Sequence, residues 1–180
     1  MLKQNTRFMV LSAVFAALTA VGAFIKLPLG AMSLTLQFMF TAMAGVVLGP
    51  KWGAASQAVY VALGLLGLPI FTQGGGLGYL VQPSFGFLLG LIPSAAVIGV
   101  LAGKKGEVKR VVPACLAGLA VLYLVGLPYM GAILNLYMGK GLDVWTIVKT
   151  GMLVYLPGDL LKIAVTALVA PALCKAVKRA

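Results

Sequence analysis

A chain of 180 residues that is 62% hydrophobic and only 9% charged, with a mean hydropathy of +1.08, stands far from a soluble domain, which is roughly 45–50% apolar and 25% charged. A net charge of +11 could serve nucleic acid only if the basic residues clustered on one soluble face, and here they sit between apolar runs. The composition therefore excludes nucleic-acid binding and a soluble fold, and predicts an integral membrane protein embedded in the lipid bilayer.

The charge-free runs Phe8–Ile25, Leu27–Pro50, Trp52–Gly103 and Val111–Gly139 are each about as long as, or longer than, the ~20 residues that cross a bilayer as a helix. None alternates apolar with polar residues as an outer-membrane barrel strand does. The prediction is an all-α membrane protein, one domain over residues 1–180 with six transmembrane helices near 8–26, 33–49, 53–70, 84–103, 111–137 and 157–177.

Taken in order, the first helix follows Lys3 and Arg7 and carries small residues near Ala20 and Gly22, a pattern shared with signal peptides. An uncleaved helix fits better, because the remaining charges fall correctly only if it stays. Within it Ala13 and Ala17, and Ala16 and Ala20, are spaced i,i+4, which lets a second helix approach closely in lipid. That neighbour is either this bundle or another protein. The second helix carries Gln37 in "LTLQFMF", and the short basic connection "GPKWG" leads to the third.

The next connection, "GLPIFTQGGGLGYLVQPSFG", is long, uncharged and glycine-rich. Its Leu, Ile, Phe and Tyr residues predict a packed wall or lid, since a free linker is polar and Ser-rich. Gln73 and Tyr79 lie in it. Gly86 and Gly90 of the fourth helix repeat the small-residue spacing and are expected to be internal. Asn135 lies near the end of the fifth helix. Pro157 offers the start of the sixth and places Asp159 in its first turn, against the positive end of the helix dipole. The preceding segment, with Trp145, reads as a short interfacial helix or as an earlier start of helix six kinked at "LPGD".

With a cytoplasmic N-terminus, Lys3, Arg7, Lys51, Lys104, Lys105, Lys109, Arg110, Lys175, Lys178 and Arg179 lie at inner ends, against Lys26, Lys140 and Lys149 outside. This asymmetry predicts a multi-pass protein of the cell membrane with both termini cytoplasmic.

Asp159 and Lys162 are i and i+3 on one helical face. Intramembrane charges often mark a substrate or ion pathway, and a lone buried pair adds little stability once desolvated. A ligand-binding pair is thus expected, a structural ion pair being the alternative. Gln37, Gln73, Tyr79 and Asn135 are the other polar candidates on the same side. Cys115 and Cys174 have no C-x-x-C spacing and no histidine to join, so they read as core residues and no metal is expected. No P-loop, G-x-S-x-G or H-E-x-x-H is present, so ATP can act only on partner subunits, and neither an enzyme nor a cofactor is indicated.

The succession "LTLQFMFTAMAGVVLGPKWGAASQAVYVALGLLGLPIF", "GGGLGYLVQPSFGFLLG" and "YLPGDLLK" resembles the BioY family, the biotin-specific substrate-capture (S) components of energy-coupling factor (ECF) transporters. The resemblance covers nearly the whole chain. It implies a six-helix bundle that binds biotin and associates with a transmembrane coupling subunit and two ATPases. It also implies that Asp159 and Lys162 hydrogen-bond biotin, that the segment around Gly74, Gly75 and Gly76 forms part of the pocket, and that Ala13, Ala16, Ala17 and Ala20 dock on the coupling subunit. Where the family often has Gly-Pro-Thr-Gly-Gly-Tyr, this chain has "QPSFGF", with Gln82, Ser84, Phe85 and Phe87. Asp159 can accept from a ureido N–H of biotin, Lys162 can donate to its carbonyl or to its carboxylate, and Tyr79 and Tyr155 can cover its apolar ring. A stand-alone secondary transporter using Asp159 as a proton site and a structural membrane subunit are the other readings.

Overall fold

A computed structural model describes the backbone of residues 2–29, 32–103 and 106–179 and the side chains of 5–28, 33–103 and 106–177. Helix α1 runs Leu2–Phe24, and its 23 residues reach about 34 Å, enough to cross ~30 Å of hydrocarbon. It leads into an antiparallel hairpin of β1, Lys26–Leu29, and β2, Met32–Thr35, in the register Lys26↔Thr35, Leu27↔Leu34. The helix expected from residue 33 therefore begins later, at Gln37, because 32–35 is paired as strand.

Helix α2, Gln37–Leu65, is broken at Gly49, whose φ of 78° and ψ of −177° suit glycine alone. The break is a full reversal. Thr41 bonds Gln57 at 2.9 Å and Gln37 bonds Tyr60 at 2.8 Å, whereas 16 residues of straight helix would separate the first pair by about 24 Å. The two halves are thus antiparallel, and the expected "GPKWG" loop is instead a one-residue turn with Pro50 opening the second half. Gly53 lies against Gly45 where the halves meet, too close for a side chain.

Residues 66–84 pack as structure. Phe71 and Gly74 exchange backbone bonds of 2.8 and 3.3 Å, and Gly76 N–H donates to the Gly64 carbonyl at 2.7 Å. Phe71 is buried between Tyr60 and Tyr79, with centroids 5.5 and 4.6 Å away, and the aromatic series continues through Phe85 to Tyr129. A short 3-10 turn, Leu77–Val81, leads to α3, Phe85–Leu101. Helix α4, Val108–Ala132, passes into a π-helical turn at Ile133–Tyr137.

The next connection is closed by Asn135, whose amide donates to the Leu142 carbonyl and accepts from its N–H. Asp143 then caps α5, Val144–Val148, and the Thr146 hydroxyl and N–H hold its carboxyl below the usual carboxylate range. A second π turn, Lys149–Leu153, precedes α6, Leu156–Arg179.

Helix α2 packs on α1 and α3, α3 on α4, and α6 closes against α2 and α4. Gly86 lies on Tyr129 and Gly90 on Leu122, so the small residues of α3 are internal to the α3–α4 seam. Cys115 and Cys174 are buried. Among the described residues three segments, Asn5–Phe24, Val108–Tyr137 and Val144–Val177, are long and apolar enough to cross a membrane, and α3 is a shorter apolar helix.

The ends of the bundle differ in charge. Phe8 stacks on Trp52, Gly99 abuts Pro50 and Gly106 abuts Cys174, which places Arg7, Lys51, Lys109, Arg110 and Lys175 at one end. Lys26, Lys140 and Lys149 lie at the other. The side chains of Lys3, Lys104, Lys105, Lys178 and Arg179 lie outside the described residues.

Candidate functional site

Tyr155, immediately before α6, and Asp159 and Lys162 in its first two turns follow one another at i, i+4 and i+7, so all three face the bundle interior. Each is buried, with Asp159 6% and Lys162 7% exposed. Lys162 Nζ donates to Asp159 Oδ1 at 2.6 Å, and the Tyr123 hydroxyl of α4 donates to Oδ2 at 2.6 Å. Among the described residues each carboxylate oxygen therefore has one protein donor. A carboxylate has about four acceptor positions and an ammonium three donors, so both charges keep capacity for a ligand.

That capacity faces a cavity between the hairpin, residues 72–84 and helices α2, α3, α4 and α6. Phe38, Phe87, Leu88, Leu91 and Leu122 make an apolar sleeve, while Ser33, Thr35, Thr72 and Ser84 add hydroxyl groups. A mostly apolar cleft with a few fixed polar groups is suited to a small amphiphilic molecule. Gln37 lines it as well, held by Thr35 Oγ1 at 2.9 Å and by Tyr60, whose hydroxyl donates on to the Ile70 carbonyl at 3.1 Å. Tyr79 is oriented by Thr72, hydroxyl to hydroxyl at 2.7 Å.

A second polar cluster lies off the cavity, between α1 and the two halves of α2. Gln57 is fully buried and is bonded by Thr19, Thr41 and Ser56 at 3.3, 2.9 and 2.9 Å.

Five residues expected from the sequence, Gln37, Tyr79, Tyr155, Asp159 and Lys162, thus line one cavity. Four do not. Gln73 is exposed. Gly74, with φ of 114°, makes the turn beside Phe71, and Gly75 is pressed against the Leu68 carbonyl, so these glycines shape the wall from behind. Asn135 is taken up by Leu142. Of "QPSFGF", Ser84 and Phe87 reach the cavity and Phe85 joins the aromatic series.

The α1 alanines divide as well: Ala13 and Ala17 are exposed, whereas Ala16 is buried and Ala20 packs on the core. The latter pair faces this bundle because α2 occupies that side, so only Ala13 and Ala17 stand open to a partner.

Tyr123, Thr72 and Phe38 also line the cavity and are not singled out by the sequence. Tyr123 alone carried a signal, a hydroxyl in the middle of the apolar run "LAVLYLVGL".

The model of the BioY family matches residues 1–179. The probable biotin transporter BioY of Lysinibacillus sphaericus is 46% identical over 138 residues, 76% of this chain and 70% of that one. The biotin transporter BioY of Thermotoga maritima is 38% identical over 165 residues, covering 91% and 94%. The crystal structure of the S-component for biotin from an ECF-type ABC transporter superposes with a TM-score of 0.74 at 27% identity, over 97% of this chain and 94% of that one. The fold is that of a helical membrane bundle of this class, its relatives are transporters and not enzymes, and the chain belongs to the BioY family.

Proposed function

We propose that this protein captures biotin in the cavity at the start of α6 and mediates its uptake as the S component of an ECF transporter. The observation that carries the reading is the buried Asp159–Lys162 pair, braced by Tyr123, in the wall of an otherwise apolar cavity. A cyclic urea offers N–H groups to Asp159 and a carbonyl to Lys162, and charge-assisted bonds in a dry site are strong. The apolar sleeve accepts the thioether ring and alkyl chain.

Partners supply the energy. No nucleotide-binding motif occurs in the sequence, so ATP-driven uptake needs partner subunits, a transmembrane coupling subunit and two ATPases, for which the exposed Ala13–Ala17 face of α1 is the docking edge on this chain. The charge difference between the ends of the bundle supports a multi-pass protein of the cell membrane with six crossings, the two halves of α2 counting separately, and with both termini cytoplasmic.

Titration of biotin into detergent-purified protein, beside Asp159→Asn, tests the reading. Submicromolar binding in the parent and its loss in the variant support it, and a folded parent that binds no biotin refutes it. Uptake driven by a pH gradient into liposomes holding this chain alone would favour the stand-alone transporter instead.

A further inference from the structure

Among the described residues, one exposed cation at the hairpin end of the bundle, Lys26, touches residues of the cavity wall. Lys26 pairs with Thr35 across the hairpin and donates from Nζ to the Thr72 carbonyl at 2.5 Å, and both threonines line the cavity. Lys26 itself is exposed. Among the described residues the ammonium spends one of its three donors in this way. Among the described residues Lys140 and Lys149 are the other exposed cations at this end, and neither lines the cavity.

The buried end of the cavity is ill suited to an acid. Lys162 already faces Asp159 at 2.6 Å. A ligand carboxylate brought there would set two negative charges around one buried ammonium, leaving an uncompensated charge out of water. At the rim an acid keeps part of its hydration and meets a cation whose partner is only a carbonyl.

We infer that Lys26 receives the carboxylate of the ligand at the cavity rim, so that the ligand lies with its neutral head at Asp159 and Lys162 and its acidic tail toward the hairpin. The inference rests on the biotin reading and adds to it a residue that discriminates acids from neutral analogues. A charge at a rim acts on encounter rate and salt dependence more than on the depth of binding. Its effect is accordingly modest.

The test compares biotin with biotinamide, whose tail is uncharged, by titration into the detergent-purified full chain, its Lys26→Gln variant and a Lys149→Gln control. Glutamine removes the charge and retains an N–H donor on a side chain one bond shorter. The parent is expected to bind biotin about three- to fivefold tighter than biotinamide, in line with an exposed ion pair. Lys26→Gln should bring biotin down to the affinity of biotinamide and leave biotinamide unchanged, while Lys149→Gln keeps the parental ratio. A ratio that survives Lys26→Gln, or equal weakening of both ligands, overturns the assignment of Lys26 while the biotin reading stands. A folded parent that binds neither ligand overturns both.

Discussion

Tyr123 of α4 and Asp159 of α6 meet hydroxyl to carboxylate at 2.6 Å, opposite the oxygen that Lys162 holds. The hydroxyl spends its one proton on Asp159, so its lone pairs are what it offers to a ligand. Tyr123→Phe should keep the ring, and its edge-on contact with Phe87 at 6.2 Å, while freeing one side of the carboxylate. Biotin affinity is expected to fall about tenfold or more, the scale of one hydrogen bond to a charged group. Calorimetric titration measures this, and an unchanged affinity would remove Tyr123 from the site.

The pair at Asp159 and Lys162 separates stability from binding. Lys162→Met leaves a lone carboxylate in the bundle, a defect of about 3–5 kcal/mol. Adding Asp159→Asn removes the orphaned charge, so the double variant should melt higher than Lys162→Met alone and still bind no biotin. Thermal unfolding in detergent, paired with titration, reads both. Biotin binding by the double variant would contradict the proposed role of the charges.

Gln57 gives the converse case. Its neighbours keep backbone partners without it: Thr19 bonds the Phe15 carbonyl, Thr41 that of Gln37, and Ser56 that of Gly53. Gln57→Leu should therefore destabilise by only roughly 1 kcal/mol. Biotin affinity should stay within about twofold, since Gln57 does not line the cavity. Melting and titration check the two halves of this expectation.

Gly64 lies under the ring of Phe71, with no space for a Cβ between them. Gly64→Val should push Phe71 and the segment carrying Thr72 and Tyr79 away from α2, at about 1–3 kcal/mol for an overpacked contact. Faster biotin dissociation and easier proteolysis within 66–84 are the expected signs. Unaltered dissociation would mean that this segment does not close the cavity.

The charges at Asp159 and Lys162 were legible because an ion in an apolar run has few structural uses. Gln37 was legible as the one amide in "LTLQFMF". The hairpin was not, since its strands are only four residues each: Leu27, Leu29, Met32 and Leu34 alternate with Lys26, Pro28, Ser33 and Thr35, but so short an alternation inside an apolar stretch reads as loop and helix start. Asn135 misled for a physical reason: an amide near a helix end serves a backbone turn as well as it serves a ligand, and only the position of Leu142 decides. The alanines of α1 form two stripes about 60° apart that share one spacing, and the sequence does not say which meets α2.

The reversal at Gly49 bears on how the chain enters the membrane. Gln37 to Leu48 and Pro50 to Leu65 would extend about 18 and 24 Å, each short of the ~30 Å of hydrocarbon. Alone, the second half would carry the Gln57 amide into lipid with Ser56 of the same half as its partner and its carbonyl oxygen unmet. Paired, that oxygen accepts from the Thr41 hydroxyl of the first half at 2.9 Å. Insertion of this region is thus a joint event of two segments, and any residue added at the turn is felt by both at once.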